Sequence, residues 1–134
     1  MKTLTDLSLL AYLHDAECLG LEWDFKVAEG RSITIRAIVA PDAQYPEWDG
    51  REIVLVFWNV VLCRFEGFGG VVGGETLDAF HERLSPEFVI ECQRLKDAGV
   101  RVPPIRLWIS FISGSGLQLV CDQVLFDVGK PKVK

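Results

Sequence analysis

Residues 53–65 read IVLVFWNVVLCRF, a run of β-branched and aromatic side chains flanked by Gly50 and Gly67. That composition favours a strand over a helix. Alternation puts Ile53, Leu55, Phe57, Val61 and Cys63 on one face and Val54, Val56, Trp58, Val60 and Leu62 on the other. Both faces are apolar, so the strand must be covered on both sides or offer one side to a partner. Thirteen residues are too few to cross a bilayer as a helix, which takes about 20. No apolar run in the chain is long enough to do so, and no membrane span is expected.

Upstream of this run the period is also two. Leu19, Leu21, Trp23, Phe25 and Val27 point one way and Gly20, Glu22, Asp24 and Lys26 the other, followed by Ile33, Ile35, Ala37 and Val39 on the next strand. Ala28-Glu29-Gly30 fits a three-residue hairpin loop that pairs Phe25 with Ile33, Trp23 with Ile35, and Glu22 with Arg36 on the outer face. Before these strands, Thr5 or Asp6 can cap a short helix to about Leu13 with Leu7, Leu10 and Leu13 on one side. Pro41–Gly50 is a polar loop with two prolines.

Downstream, Ser85-Pro86-Glu87 has the form of a helix start, with a serine cap, proline at the first position and acid in the first turn. Phe88, Val89, Cys92 and Leu95 form its apolar face, and Gly99 ends it. Residues 75–84 fit a separate short helix. Two further strands, 105–113 and 117–127, meet across Gly114-Ser115-Gly116. The order α-β-β-β-α-β-β, with short connections, gives an α+β fold: one curved, mainly antiparallel five-stranded sheet with helices on one face. One domain over 1–134 accounts for the length, with 129–134 read as a disordered basic tail.

The N-terminus is read as part of the fold and not as a leader, because Asp6, His14, Asp15 and Glu17 interrupt the pattern of a signal peptide. Cys18, Cys63, Cys92 and Cys121 are scattered and make no CxxC or CxxH pair. They read as buried free thiols of a reducing cytoplasm, the alternative being paired disulfides in an exported protein. No cofactor or metal is expected.

The net charge is −5, and the acid is concentrated early. Asp15, Glu17, Glu22, Asp24 and Glu29 are followed by Asp42, Glu47, Asp49 and Glu52, while cationic residues gather late, at Arg101, Arg106, Lys130, Lys132 and Lys134. Such a first half repels nucleic acid and attracts a basic protein.

Signatures of catalysis are sparse. His14-Asp15 lacks the further histidines of a metal hydrolase, and Asp15 suits the turn between helix and strand. His81-Glu82 sits among charged residues with no nucleophile in view. The glycine-rich stretch GFGGVVGGE, 67–75, has neither the Lys-Ser/Thr end of a phosphate loop nor the spacing of a dinucleotide fingerprint. It reads as a flexible connection or a loop over a ligand.

The opening LHDAECLGLEWDF, then SITIRAIV, then IVLVFWNVVLCRF, resembles a group of small bacterial domains in which a Leu/Phe-His-Asp opening leads into a strand meander. Several of these are immunity proteins of polymorphic-toxin systems. Leu13, His14 and Asp15 match the opening, and Phe57 with Val60 match a recurrent F-x-x-V. The resemblance covers roughly the first half of the chain. It implies a non-catalytic cytoplasmic protein that binds another protein, and a basic toxin domain would suit the charge.

Taken with the acidic first half, the expected function is a small acidic protein-binding domain, with Glu22, Asp24, Asp42, Glu47, Trp48 and Asp49 facing the partner. The alternative is a small-molecule-binding protein or enzyme whose site lies between the sheet and loop 67–75 and uses His14, Asp15 and His81. Apolar second faces on 53–65 and 105–112 call either for closure by strand curvature or for a homodimer that buries Trp58, Trp108 and Ile112.

Overall fold

The computed structural model describes residues 1–25, 30–40, 46–67 and 75–131. Along these the elements are β1 (Lys2–Thr3), a 3-10 helix (Leu7–Leu13), β2 (Glu17–Asp24), β3 (Ser32–Ile38), β4 (Arg51–Trp58), β5 (Leu62–Glu66), β6 (Leu77–His81), α1 (Pro86–Asp97), β7 (Ile105–Phe111), β8 (Gly116–Cys121) and β9 (Gln123–Pro131).

They form two antiparallel sheets. One has five strands in the order β1-β9-β4-β3-β2, the other four in the order β5-β8-β7-β6. Ile33, Ile35, Ile53, Leu55, Phe57 and Val124 from the first pack with Leu107, Ile109, Phe111, Leu117, Leu119 and Cys121 from the second in a single core. The molecule is therefore a sandwich, mostly strand, and the single five-stranded sheet with helices on one face is overturned.

The reason lies in the run 53–65. It is not one strand but two, β4 and β5, in different sheets. Asn59 between them adopts a left-handed backbone (φ 57°), a conformation that asparagine tolerates better than most side chains. The stretch 117–127 divides likewise into β8 and β9 at Asp122, and the two bent ribbons pair along their whole length, β4 with β9 and β5 with β8. At the corner Asp122 N–H donates to the Trp58 carbonyl at 3.0 Å and Val61 N–H to that of Val120 at 3.0 Å. The Asn59 amide donates to the Asp122 carboxylate, which also takes two hydrogen bonds from Arg101, at 2.8 and 3.2 Å. Those bonds, Arg101's first and then Asn59's, hold the Asp122 carboxyl below the usual carboxylate range. The bend carries the second half of the run into the other sheet, which covers the Ile53, Leu55 and Phe57 face, while Val54 and Val56 stay half-buried and Trp58 exposed on the outer face.

Within 75–84 the chain forms strand β6 (Leu77–His81), not a helix. Leu77 pairs with Phe111 and Phe80 with Ile109, and a bulge between Leu77 and Ala79 takes up one residue. The bulge turns two core side chains three apart to the same side, which imitates helical spacing.

A second bulge, between Cys18 and Gly20, shifts β2 against β3. On the hairpin side of that bulge Trp23 pairs with Ile33, Leu21 with Ile35 and Glu22 with Thr34, two residues away from the expected register, because the last pair is Asp24 with Ser32 and their connection is longer than three residues. The residues 26–29 of the expected hairpin loop lie outside the described part. On the far side, Cys18 N–H donates to Glu75 O (2.7 Å) and Leu77 N–H to Ala16 O (2.8 Å), joining the edge strands of the two sheets.

The helical signals at both ends hold. Asp6 caps the first helix through its carboxylate and the Ser8 N–H, although that helix is 3-10. Pro86 starts α1, and Gly99 follows it with φ 81°. α1 lays Phe88 and Cys92 on Val120 and Leu62, so β8 is buried along its entire length. No helix among the described residues is long and apolar enough to cross a membrane. The chain end expected to be disordered is in strand up to Pro131, which pairs with Arg51, and 132–134 lie outside the described residues.

Candidate functional site: an aromatic hollow beside β5

Among the described residues β5 is an end strand of the four-stranded sheet, next to β8. Next to this edge the β2 end overhangs the core. Trp23 occupies the core face of β2 by register, opposite buried Ile33, yet is 58 % exposed. Its ring meets that of Phe65 on β5 with centroids 5.5 Å apart and planes tilted by 51°, a geometry favoured by the ring quadrupoles. Phe25, 39 % exposed, lines an adjoining depression of ≈ 370 Å³ with Arg31, Val60, Val61, Leu62 and Cys63. A neighbouring depression of ≈ 410 Å³ shares Arg31, Val60 and Val61 and runs on to Leu95 and Val100 beside the C-terminal end of α1. Together they make a largely apolar channel, with Arg31 as its cation among the described residues.

Close packing at the corner shapes this channel. Gly30 has φ 82°, and a Cβ there would come within 2.9 Å of the Trp58 ring, so only glycine lets the chain pass. Val60 N–H donates to the Arg31 carbonyl at 2.9 Å, tying the hairpin to the corner. The four cysteines are unpaired. Burial pushes the Cys121 thiol up to about 12, which makes it an inert core group. Burial also raises Cys63, with Arg31 pulling the other way, and Cys63 is the thiol that lines the channel.

The residues expected to face a partner divide. Glu22 and Asp24 are exposed on β2 at the Trp23 end of the five-stranded sheet. Glu47, Trp48 and Asp49 precede Arg51 at its opposite end, away from Asp24 by about seven residues of strand, or roughly 20 Å. Asp42 lies outside the described residues. Glu47 is exposed. Trp48 is not on the surface: it is only 3 % exposed and packs its ring 5.9 Å from that of Phe126. An aromatic in a polar loop looked available for a partner, but here it closes the end of the core. Asp49 is half-buried, and its backbone N–H donates to Pro46 O at 3.2 Å. The six therefore do not form one face.

His14 and Asp15 lie in the turn before β2, where Asp15 has φ 67°. The His14 Nδ1–H donates to the Asp78 carbonyl at 2.7 Å, and Nε2 is 3.4 Å from the Asp15 carboxylate. The carbonyl first, and Asp15 second, raise the imidazole above its ordinary pKa. His81 stands instead on the outer face of the four-stranded sheet, its ring edge-on to Trp108 at 6.4 Å, and the depression it lines does not include His14. Loop residues 68–74, the expected cover of that alternative site, lie outside the described part. Among the described residues, no three of His, Cys, Asp and Glu are grouped so as to hold a metal ion.

Trp58 and Trp108 fall on the outer faces of different sheets, since their alternation partners Phe57 and Leu107 both point into the shared core. Ile112 is exposed in the β7–β8 turn. The three do not make the continuous patch that a twofold interface through them requires. Sequence reading missed Phe25, Phe65 and Val61 as surface groups because each has the parity of a core position. The signal that could have found them is Phe65's place at the end of a strand beside a glycine-rich stretch. No family model, curated protein or solved structure was found to match the chain.

Proposed function

We propose that this chain is a small acidic protein-binding domain that takes a basic, partly apolar partner at the hollow between the β2 end and the β5 edge, in the manner of a toxin-neutralising immunity protein. The observation that carries the reading is the exposed Trp23–Phe65 pair, with Glu22 and Asp24 exposed on the other face of the same strand. Exposed aromatics at the centre of a patch with charge at its margin are the usual make-up of a binding hot spot. The acidic margin steers a basic partner.

The test begins with capture of a partner from cells of the source organism, and the decisive step is its affinity for variants. Trp23→Ala and Phe65→Ala should each weaken binding by about tenfold or more. Glu22→Lys with Asp24→Lys should slow association and reverse its dependence on salt. Bound partner should also shield Cys63 from a maleimide. If the captured protein binds the Trp23→Ala/Phe65→Ala double variant as tightly as the wild type, or if no protein partner exists, the proposal fails.

A further inference from the structure

The outer face of the four-stranded sheet is covered by α1 only in part. Beyond the helix, the pairing sets out a row of His81, Trp108, Gln118 and Arg64, and next to it Ala79, Ser110, Gly116 and Glu66. Between these rows is a depression of ≈ 200 Å³ lined by His81, Arg83, Trp108, Ser110, Gly116 and Glu66, among others. An apolar cavity of about 150 Å³ holds a benzene ring, so a one-ring ligand fits the space.

The floor is Gly116 with the indole of Trp108 over it: a Cβ on Gly116 would be 3.5 Å from Trp108 Nε1. Indole N–H donates and never accepts.

The charges around this floor are not balanced. Glu66 is already engaged, by Arg64 Nε at 3.1 Å and by the Gln118 amide at 3.4 Å. Gln118 in turn accepts from the Ser85 N–H at 2.7 Å, which locks it under the start of α1. The Ser110 hydroxyl is directed at Asp78 (3.2 Å). Arg83 makes no ion pair among the described residues, and the contact recorded for the His81 ring is with Trp108. Among the described residues the uncommitted groups are thus the Arg83 guanidinium and the Trp108 N–H, both donors only, and the His81 ring, which can donate from one nitrogen.

We infer that this depression binds a small planar carboxylate, with its carboxyl on Arg83 and its ring against Trp108. A guanidinium fork matches the two oxygens of a carboxylate, and an aromatic ring meets the indole at the floor. This site shares only His81 with the His14, Asp15 and His81 set. It opens on the outer side of the four-stranded sheet, apart from the Trp23–Phe65 hollow, and it stands whether or not that hollow binds a protein.

Benzoate at millimolar concentration is a suitable probe, read by the four indole N–H peaks in a proton–nitrogen correlation spectrum, with the Trp108 peak assigned by its loss in Trp108→Phe. Benzoate should move that peak in a saturable way, while neutral benzamide should not. Arg83→Gln, at an exposed turn position, should weaken benzoate about tenfold or more. Gly116→Ala, whose methyl meets only ordinary contacts, should block the floor and leave the fold intact. The inference is overturned if the Trp108 peak stays fixed, if benzamide moves it as much as benzoate, or if folded Gly116→Ala and Arg83→Gln bind benzoate as the wild type does.

Discussion

β4 and β5 come from one uninterrupted apolar run, yet their environments differ sharply. β4 has β3 on one side and β9 on the other, and Ile53, Leu55 and Phe57 are fully buried. β5 has one neighbouring strand among the described residues, and its inward side chains Cys63 and Phe65 are half-buried and exposed. Alternation tells which residues share a face; it does not tell whether another strand or sheet covers that face. Stability should therefore concentrate in the first half of the run, leaving the second half available for binding. Phe57→Ala should cost about 3–5 kcal/mol, the range for a buried phenylalanine, and Phe65→Ala less than about 1 kcal/mol. Urea unfolding of both variants measures the contrast, and equal losses would mean that β5 is as deeply packed as β4.

Elements with a local cause were legible in the sequence. α1 was readable from Ser85, Pro86 and Gly99, because caps and proline act on their immediate neighbours. Asp6 was readable for the same reason. The pairing of β2 with β3 and of β7 with β8 followed from short connections. Features that depend on one residue placed out of step were hidden. The bulge near Asp78 disguised β6 as helix, and a connection longer than three residues moved the β2–β3 register. The left-handed Asn59 turned one strand into two sheets' worth of structure.

In the candidate site, Glu22 and Asp24 could be read as exposed because they alternate with apolar neighbours. Trp48 could not be placed, since a loop side chain's burial depends on the core's open end and not on its own sequence. Phe65 was hidden by the opposite error, a core parity at a strand that lacks cover.

The corner between the halves can be broken at Asn59. Asn59→Val puts a β-branched side chain at φ 57° and deletes the bond to Asp122, so it should cost about 2 kcal/mol. Asn59→Gly keeps the backbone freedom and loses only the hydrogen bond, for about 1 kcal/mol. Chemical denaturation of the pair separates backbone strain from side-chain bonding. If glycine proves as damaging as valine, the bend depends on the Asn59–Asp122 bond and not on the left-handed conformation.

The smallest expected effect is electrostatic and depends on pH. Asp122 has its carboxyl held down in the fold by Arg101 and then by Asn59, and both bonds exist only when the chain is bent at the corner. A carboxyl whose folded pKa is depressed stabilises the fold fully above its unfolded value, near 4. That contribution is lost as the pH falls through the lower, folded value. The wild type should therefore lose stability below about pH 4 more steeply than Asp122→Asn, which has no proton to take up. At neutral pH the substitution should cost only about 0.5–1 kcal/mol, because Arg101 is largely exposed and its attraction is screened. Thermal unfolding of the two proteins between pH 3 and 7 checks the sign, since the curves must converge toward acid. Parallel curves would show that the corner is held by backbone bonds and packing alone, with the Arg101–Asp122–Asn59 cluster contributing nothing to the difference between the two halves of the run.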